Sequence, residues 1–229
     1  EYLNTRTDDK GIVVREEPNG WCLGEWSTPH NVIEIPASLV NTTYFYHVTC
    51  IMANIANILN KKDDENELRI LARTIKRNFN IAFYNEVTHH YWEGKQGADV
   101  FALAFGLVPE SDRKKVFAAL LEHLEKINYH FDTGILATPL LLKVLTENGR
   151  ADLAYRVMNQ RDFPSYGYLA DKKNNTLWET WNGDGNDEGC GHCHPMFGSV
   201  VAWFYNSLAG IKPDLSNPGM KHFYVEPVI

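Results

Sequence analysis

Glu179 stands between two tryptophans, Trp178 and Trp181, in a stretch that also holds Asp184 and, further on, His194. A carboxylate set against apolar rings is shielded from water, and such shielding tunes its proton affinity. Two earlier segments have the same character. Gly24-Glu25-Trp26 joins an acid to an indole, and Trp92 shortly precedes Gln96. His130 follows within Tyr-His-Phe-Asp-Thr. Indole faces, carboxylates and neutral hydrogen-bonding groups together suit a sugar, whose C–H faces stack on aromatic rings and whose hydroxyls need polar partners. Carboxylates are also the groups that cleave glycosidic bonds: one protonates the leaving oxygen, the other activates water or attacks directly. The plainer reading of Glu179 is a surface glutamate beside buried neighbours, and residue types alone do not separate the two.

The elements that must position these residues alternate along the chain. The sequence predicts helices that are apolar on nearly all sides over 38–60, 98–108, 134–145 and 195–209. Between them, 63–84 and 110–127 carry one apolar face each, and 150–160 is mixed. In 63–84 that face is Leu68, Leu71, Ala72, Ile75, Phe79, Ala82 and Phe83, at helical spacing. A helix apolar all round must be covered on every side. Its alternation with half-buried helices is what a double ring of helical hairpins requires. The expected fold is therefore all-α: a partial (α/α)6 barrel of about seven helices, with an irregular N-terminal segment and a short C-terminal strand. An ordinary bundle or solenoid meets the same periodicity. In a ring, the loops entering the inner helices share one rim. That rim would gather Trp26, Trp92, Gln96, His130, Trp178, Glu179, Trp181, Asp184 and His194.

Residues 176–181, Thr-Leu-Trp-Glu-Thr-Trp, resemble the Trp-Glu-Arg-Trp signature of bacterial α-L-rhamnosidases. Other blocks resemble that family in the same order. Gly24-Glu25-Trp26 is similar to its Gly-Asp-Trp, and 96–109 to its Thr-Gln-Thr-Ala helix. Residues 133–141 resemble its Thr-Thr-Gly-Phe-Leu-Gly-Thr-Pro run, 162–168 its Tyr-Pro-Ser-Trp-Gly-Tyr, and 194–198 its Asn-His-Tyr-Ala-Phe-Gly. The resemblance covers the chain from about Gly20 onward. It implies an (α/α)6 barrel and an inverting glycosidase in which Glu179 is the general base. It also implies a rhamnose-containing glycoside or polysaccharide as partner. Glu25, Trp26, Trp92, Gln96, His130, Trp178, Trp181 and His194 are the expected substrate-binding residues, with no cofactor and no metal. Residues 1–212 are expected to form the C-terminal part of the barrel. Residues 213–229 would be a linker and the start of a further β-sandwich. Three departures bear on this. The family's Asp-Cys-Pro-Gln-Arg stretch, which supplies the general acid, is absent from the sequence. Glu25 replaces Asp, and Thr180 replaces Arg.

Bulk properties exclude other classes. A net charge of -7 disfavours nucleic acid and anionic membrane surfaces, and no apolar run is long enough to span a bilayer. Cys190-Gly191-His192-Cys193 matches a redox motif, but no β-α-β pattern surrounds it. Cys22 and Cys50 lack the spacing for a zinc site built from all four cysteines. Asp184, Asp187 and Glu188 read as a solvated acidic loop rather than a calcium site. The compartment stays open, with a periplasmic or secreted place favoured over the cytoplasm. Uncovered apolar helices in a partial ring would drive homodimerisation. A non-catalytic carbohydrate-binding scaffold and another glycosidase of the same ring, such as a glucoamylase-like or uronyl hydrolase, stand as alternatives. The scarcity of Arg and Lys in the rim loops favours a neutral sugar.

Overall fold

The structure, a computed structural model, describes residues 2–14, 24–30, 35–172, 176–182, 191–214, 216–217 and 219–228. It divides into two compact units: Glu1–Trp26 with Ile33–His123, and Ser27–Val32 with Leu124–Ile229.

In the first unit, α1 (Ala37–Ile58) and α2 (Lys62–Phe83) pack as a hairpin. Asp63, Asp64 and Glu65 open α2, where carboxylates oppose the positive end of the helix dipole. Ala72, Ile75, Phe79 and Phe83 form its buried stripe, as the periodicity predicts. Helix α1 buries Thr43 and Thr49, whose hydroxyls donate back to the carbonyls of Leu39 and Phe45. The N-terminal segment lies on this hairpin. Val13 packs with Phe45 and Ile75, and its N–H donates to Thr42 Oγ1 at 3.0 Å. Helix α1 is not covered on all sides. Val48, Ile51, Met52 and Ile55, spaced as one helical face, are all more than 40% exposed.

A short hairpin then reverses the chain, β1 (Tyr84–Asn85) pairing antiparallel with β2 (His90–Tyr91) in the register Tyr84 to Tyr91. It leads into α3 (Gln96–Ala104), buried from Gln96 through Leu103, which is the all-round burial its composition demands. Helix α4 (Arg113–Lys126) follows and buries Val116, Leu120 and Leu124.

The second unit contains the hairpin of α5 (Thr138–Glu147) and α6 (Ala151–Met158), then α7 (Tyr166–Asp171), α8 (Pro195–Gly198) and α9 (Val201–Trp203). Helix α5 starts from a buried relay: Thr138 Oγ1 donates to Gly134 O at 2.6 Å and sits 2.7 Å from Thr133 Oγ1. Helix α7 was not expected. Ser165 makes it, its Oγ accepting the Tyr168 N–H at 3.0 Å as an N-cap. The single helix expected over 195–209 is instead broken at Ser199 and Val200 and ends in a wider π turn, Phe204–Leu208. Two strands close the described chain, β3 (Ile211–Pro213) pairing antiparallel with β4 (Phe223–Val225). Among the described residues no helix is long and apolar enough to cross a membrane.

Candidate active site

In the second unit, Glu179 lies on a short paired segment. Its N–H donates to Gly191 O at 2.9 Å, and the His194 N–H donates to Leu177 O at 2.9 Å. Thr176 Oγ1 also donates to His192 O. The pairing also aims the side chain, because the Gly191 N–H donates to Glu179 Oε2 at 2.8 Å. A carboxylate so held keeps one oxygen fixed. Gly191 matters for a second reason. A Cβ placed there would stand 3.1 Å from Glu179 Oε2 and 3.5 Å from His194 Cδ2, so the bare glycine is what lets the carboxylate come this close to the backbone. His194 also presents Nδ1, buried and without a hydrogen-bond partner among the described residues.

The two tryptophans beside Glu179 differ in role. Trp178 is half-buried and stacks on the His192 imidazole at 4.0 Å and 9°. Trp181 is 1% exposed and belongs to the core. Its indole N–H donates to Thr133 O at 3.0 Å, and its ring stacks on Phe131 with Tyr166 and Phe197 around it. It therefore supports the Glu179 segment from beneath rather than offering an open face. His130 sits elsewhere in the unit. Its Nδ1 lies 3.1 Å from Ile127 O and its Nε2 2.9 Å from Asp162 Oδ1. That contact holds the exposed Asp162 carboxyl below its usual range.

The first unit carries the other expected residues. Glu25 is 1% exposed, and its charge adds to burial in pushing the Tyr44 phenol up to about 12. Gly24, at φ +62, lets this loop run against the start of α1: a Cβ would meet Ala37 Cα at 3.1 Å. Trp26 follows, half-buried. Gln96 is fully buried in the first turn of α3, and Trp92 is 40% exposed in the turn before it. Trp92 has a left-handed backbone, φ 55, and its N–H donates to Phe83 O at 2.7 Å. Around that turn runs a polar network the sequence did not disclose. His90 Nδ1 is 2.6 Å from Asp99 Oδ2, and the Tyr91 N–H donates to Asp99 Oδ1 at 2.7 Å. Tyr91 OH donates to Asn80 Oδ1 at 2.5 Å. Burial pushes the Asp99 carboxyl up, while His90 and the Tyr91 N–H oppose that shift.

The structure thus brings Glu179 and His194 together around Gly191, and Trp92 and Gln96 together at the entry to α3. Sequence reasoning missed Gly191, whose place within a Cys-Gly-His-Cys run drew notice to the thiols instead. Cys193 is a free, exposed thiol. Cys22, Cys190, Asp184, Asp187 and Glu188 lie outside the described residues. Among the described residues no cluster of three or more His, Cys, Asp or Glu is placed to hold a metal.

Residues 1–208 match the family model described as the bacterial alpha-L-rhamnosidase 6 hairpin glycosidase domain. An α-L-rhamnosidase of Formosa agariphila is 32% identical over 99% of this chain, and one of Streptomyces avermitilis is 34% identical over 89%. The chain spans only 24% and 20% of those two relatives. Among solved structures, the α-L-rhamnosidase of Dictyoglumus thermophilum superposes with a TM-score of 0.88 at 34% identity, over 98% of this chain and 25% of that one. The Streptomyces avermitilis enzyme complexed with L-rhamnose gives 0.83 at 31%, over 100% and 22%. The helical alternation is accordingly that of a partial α/α barrel, as in these relatives.

Proposed function

The chain belongs to the bacterial α-L-rhamnosidase six-hairpin glycosidase domain family, and from that premise we propose that it contributes the general base to an enzyme that hydrolyses terminal α-L-rhamnosides with inversion. The observation that carries the proposal is the Glu179 carboxylate held by the Gly191 N–H beside Trp178 and His194. In the proposed reaction Glu179 removes a proton from a water molecule. The water oxygen bonds to the anomeric carbon as the bond to the leaving oxygen breaks, and a general acid protonates that oxygen. Inversion leaves room for the water, with acid and base about 6.5–9.5 Å apart. The acid of the family's Asp-Cys-Pro-Gln-Arg stretch has no counterpart in this sequence, so the 229 residues by themselves are expected to turn nothing over.

His194, with its buried free Nδ1, is proposed as a hydroxyl ligand, and Trp178 as an apolar surface toward the sugar. Trp26, Trp92, Glu25 and Gln96 are proposed as the first unit's sugar contacts. His130 is proposed as a hydroxyl ligand whose orientation Asp162 sets, and Trp181 as the support behind Glu179. Self-association through the open face of α1 is proposed as well.

Hydrolysis of p-nitrophenyl α-L-rhamnoside tests the reading in three proteins: this chain, a longer enzyme of the relatives' length that includes it, and that enzyme with Glu179→Gln. The longer enzyme is expected to release β-L-rhamnose as the first anomer, and Glu179→Gln to lower kcat by roughly 10²–10⁴-fold. An unimpaired Glu179→Gln enzyme removes this residue from the chemistry. A longer enzyme inactive on rhamnosides moves the substrate to another sugar.

A further inference from the structure

The turn before α3 is tied at both ends by one buried acid. Asp99, fully buried in α3, engages two residues of β2 at once: the His90 imidazole through Oδ2 and the Tyr91 N–H through Oδ1. At 2.6 Å, His90 Nδ1 is within hydrogen-bond reach of the carboxylate, and the tautomer with its proton on Nδ1 donates to Asp99. Only four residues, Trp92 to Lys95, lie between this anchor and Gln96 at the start of α3. Gly94, at φ +77, completes the turn by passing close to the imidazole: a Cβ there would lie 3.2 Å from His90 Cδ2 and Cγ. The His90 ring is thereby held between a carboxylate and a backbone that admits no side chain. Tyr91 extends the tie to Asn80 of α2, whose Nδ2 donates to the carbonyls of Lys76 and Leu107.

A buried carboxylate costs stability unless it is well satisfied. A core position filled by an apolar residue would pack α3 equally well. What Asp99 supplies that an apolar residue does not is a fixed geometry for the turn that presents a 40% exposed tryptophan. We propose that His90 and Asp99 are positioning residues that clamp this turn, so that Trp92 and Gln96 meet the sugar in one arrangement. The role assigned to Trp92 and Gln96 rests on the rhamnoside reading above; the clamp itself does not.

The test uses the 229-residue chain and its variants His90→Ala and His90→Asn. Asparagine places an amide nitrogen near the position of His90 Nδ1, so it restores the donor to Asp99 without the imidazole. Amide hydrogen exchange is measured across the chain. His90→Ala is expected to speed exchange of the 91–97 amides roughly tenfold while α1 and α2 keep their wild-type rates. His90→Asn recovers most of that protection. Unchanged exchange at 91–97 in His90→Ala overturns the clamp, and so does an equal rise throughout the first unit. Calorimetry with L-rhamnose on the longer enzyme reads the functional half. There His90→Ala is expected to weaken binding by about tenfold, and adding Trp92→Ala to it to cost less than the sum of the two changes. Additive losses overturn the positioning role. A wild-type enzyme that binds no L-rhamnose overturns the sugar reading instead, and the exchange pattern tells the two failures apart.

Discussion

A backbone N–H is a firm donor for a carboxylate, because it has no rotamers to lose and its direction is set by the chain on either side. Gly191 gives Glu179 such a donor and leaves open the space where a side chain would stand. Gly191→Ala tests both at once. The new methyl meets Glu179 Oε2 at 3.1 Å, so the carboxylate must swing by a few tenths of an ångström and loosen its bond. In the longer enzyme the expected result is a fall in kcat of up to about a hundredfold, with an unchanged thermal midpoint. A fall in stability with kcat preserved would make Gly191 a folding residue only. The sequence does not mark Gly191 as this donor, because the pairing of Glu179 with Gly191 is a contact between segments twelve residues apart.

At the scale of elements, the segments that carry the proposed site are held by backbone pairing, buried polar contacts and aromatic packing, and these devices differ in how far the sequence discloses them. Helices α1 to α6 follow from apolar periodicity, a property of single elements, whereas the one helix expected over 195–209 is broken at Ser199 and Val200. The β1–β2 hairpin does not follow from it, because two-residue strands are too short to alternate. Helix α7 is a single capped turn and a half, below the length at which a face repeats. Trp181 shows the limit most plainly. Beside a carboxylate, a tryptophan looks like a sugar platform, and only its enclosure by Phe131, Tyr166 and Phe197 identifies it as core. Trp181→Ala should accordingly cost about 3–5 kcal/mol, read as a lower midpoint in chemical denaturation. Trp178→Ala, with its half-buried ring on His192, should leave that midpoint nearly unmoved while weakening L-rhamnose binding. Equal destabilisation by the two would refute the division of labour between them.

For the molecule as a whole, apolar composition foretold that α1 needs covering, and the structure leaves one of its faces open. Val48, Ile51, Met52 and Ile55 form a row of large apolar side chains in water, an arrangement that favours association. Light scattering on the purified chain is expected to give a dimer at micromolar concentration, and the double variant Ile51→Glu, Ile55→Glu a monomer. A wild-type monomer at every concentration would remove self-association from the account. The sequence could not say which face this would be, because coverage depends on neighbours and periodicity reports only demand. Nor could it show that Asp99, in the first turn of the buried helix α3, has a partner nine positions earlier.

The tie between His90 and Asp99 bears on how this protein could be altered. Because both anchors stand outside residues 92–95, the turn is a cassette whose ends keep their spacing whatever lies between them. Its length and side chains can be varied in a library while α3 stays seated. On the proposed reading of Trp92 and Gln96 as sugar contacts, that is the place to graft a preference for a different sugar, with Gly94 retained because its φ of +77 and the nearby imidazole disfavour a side chain.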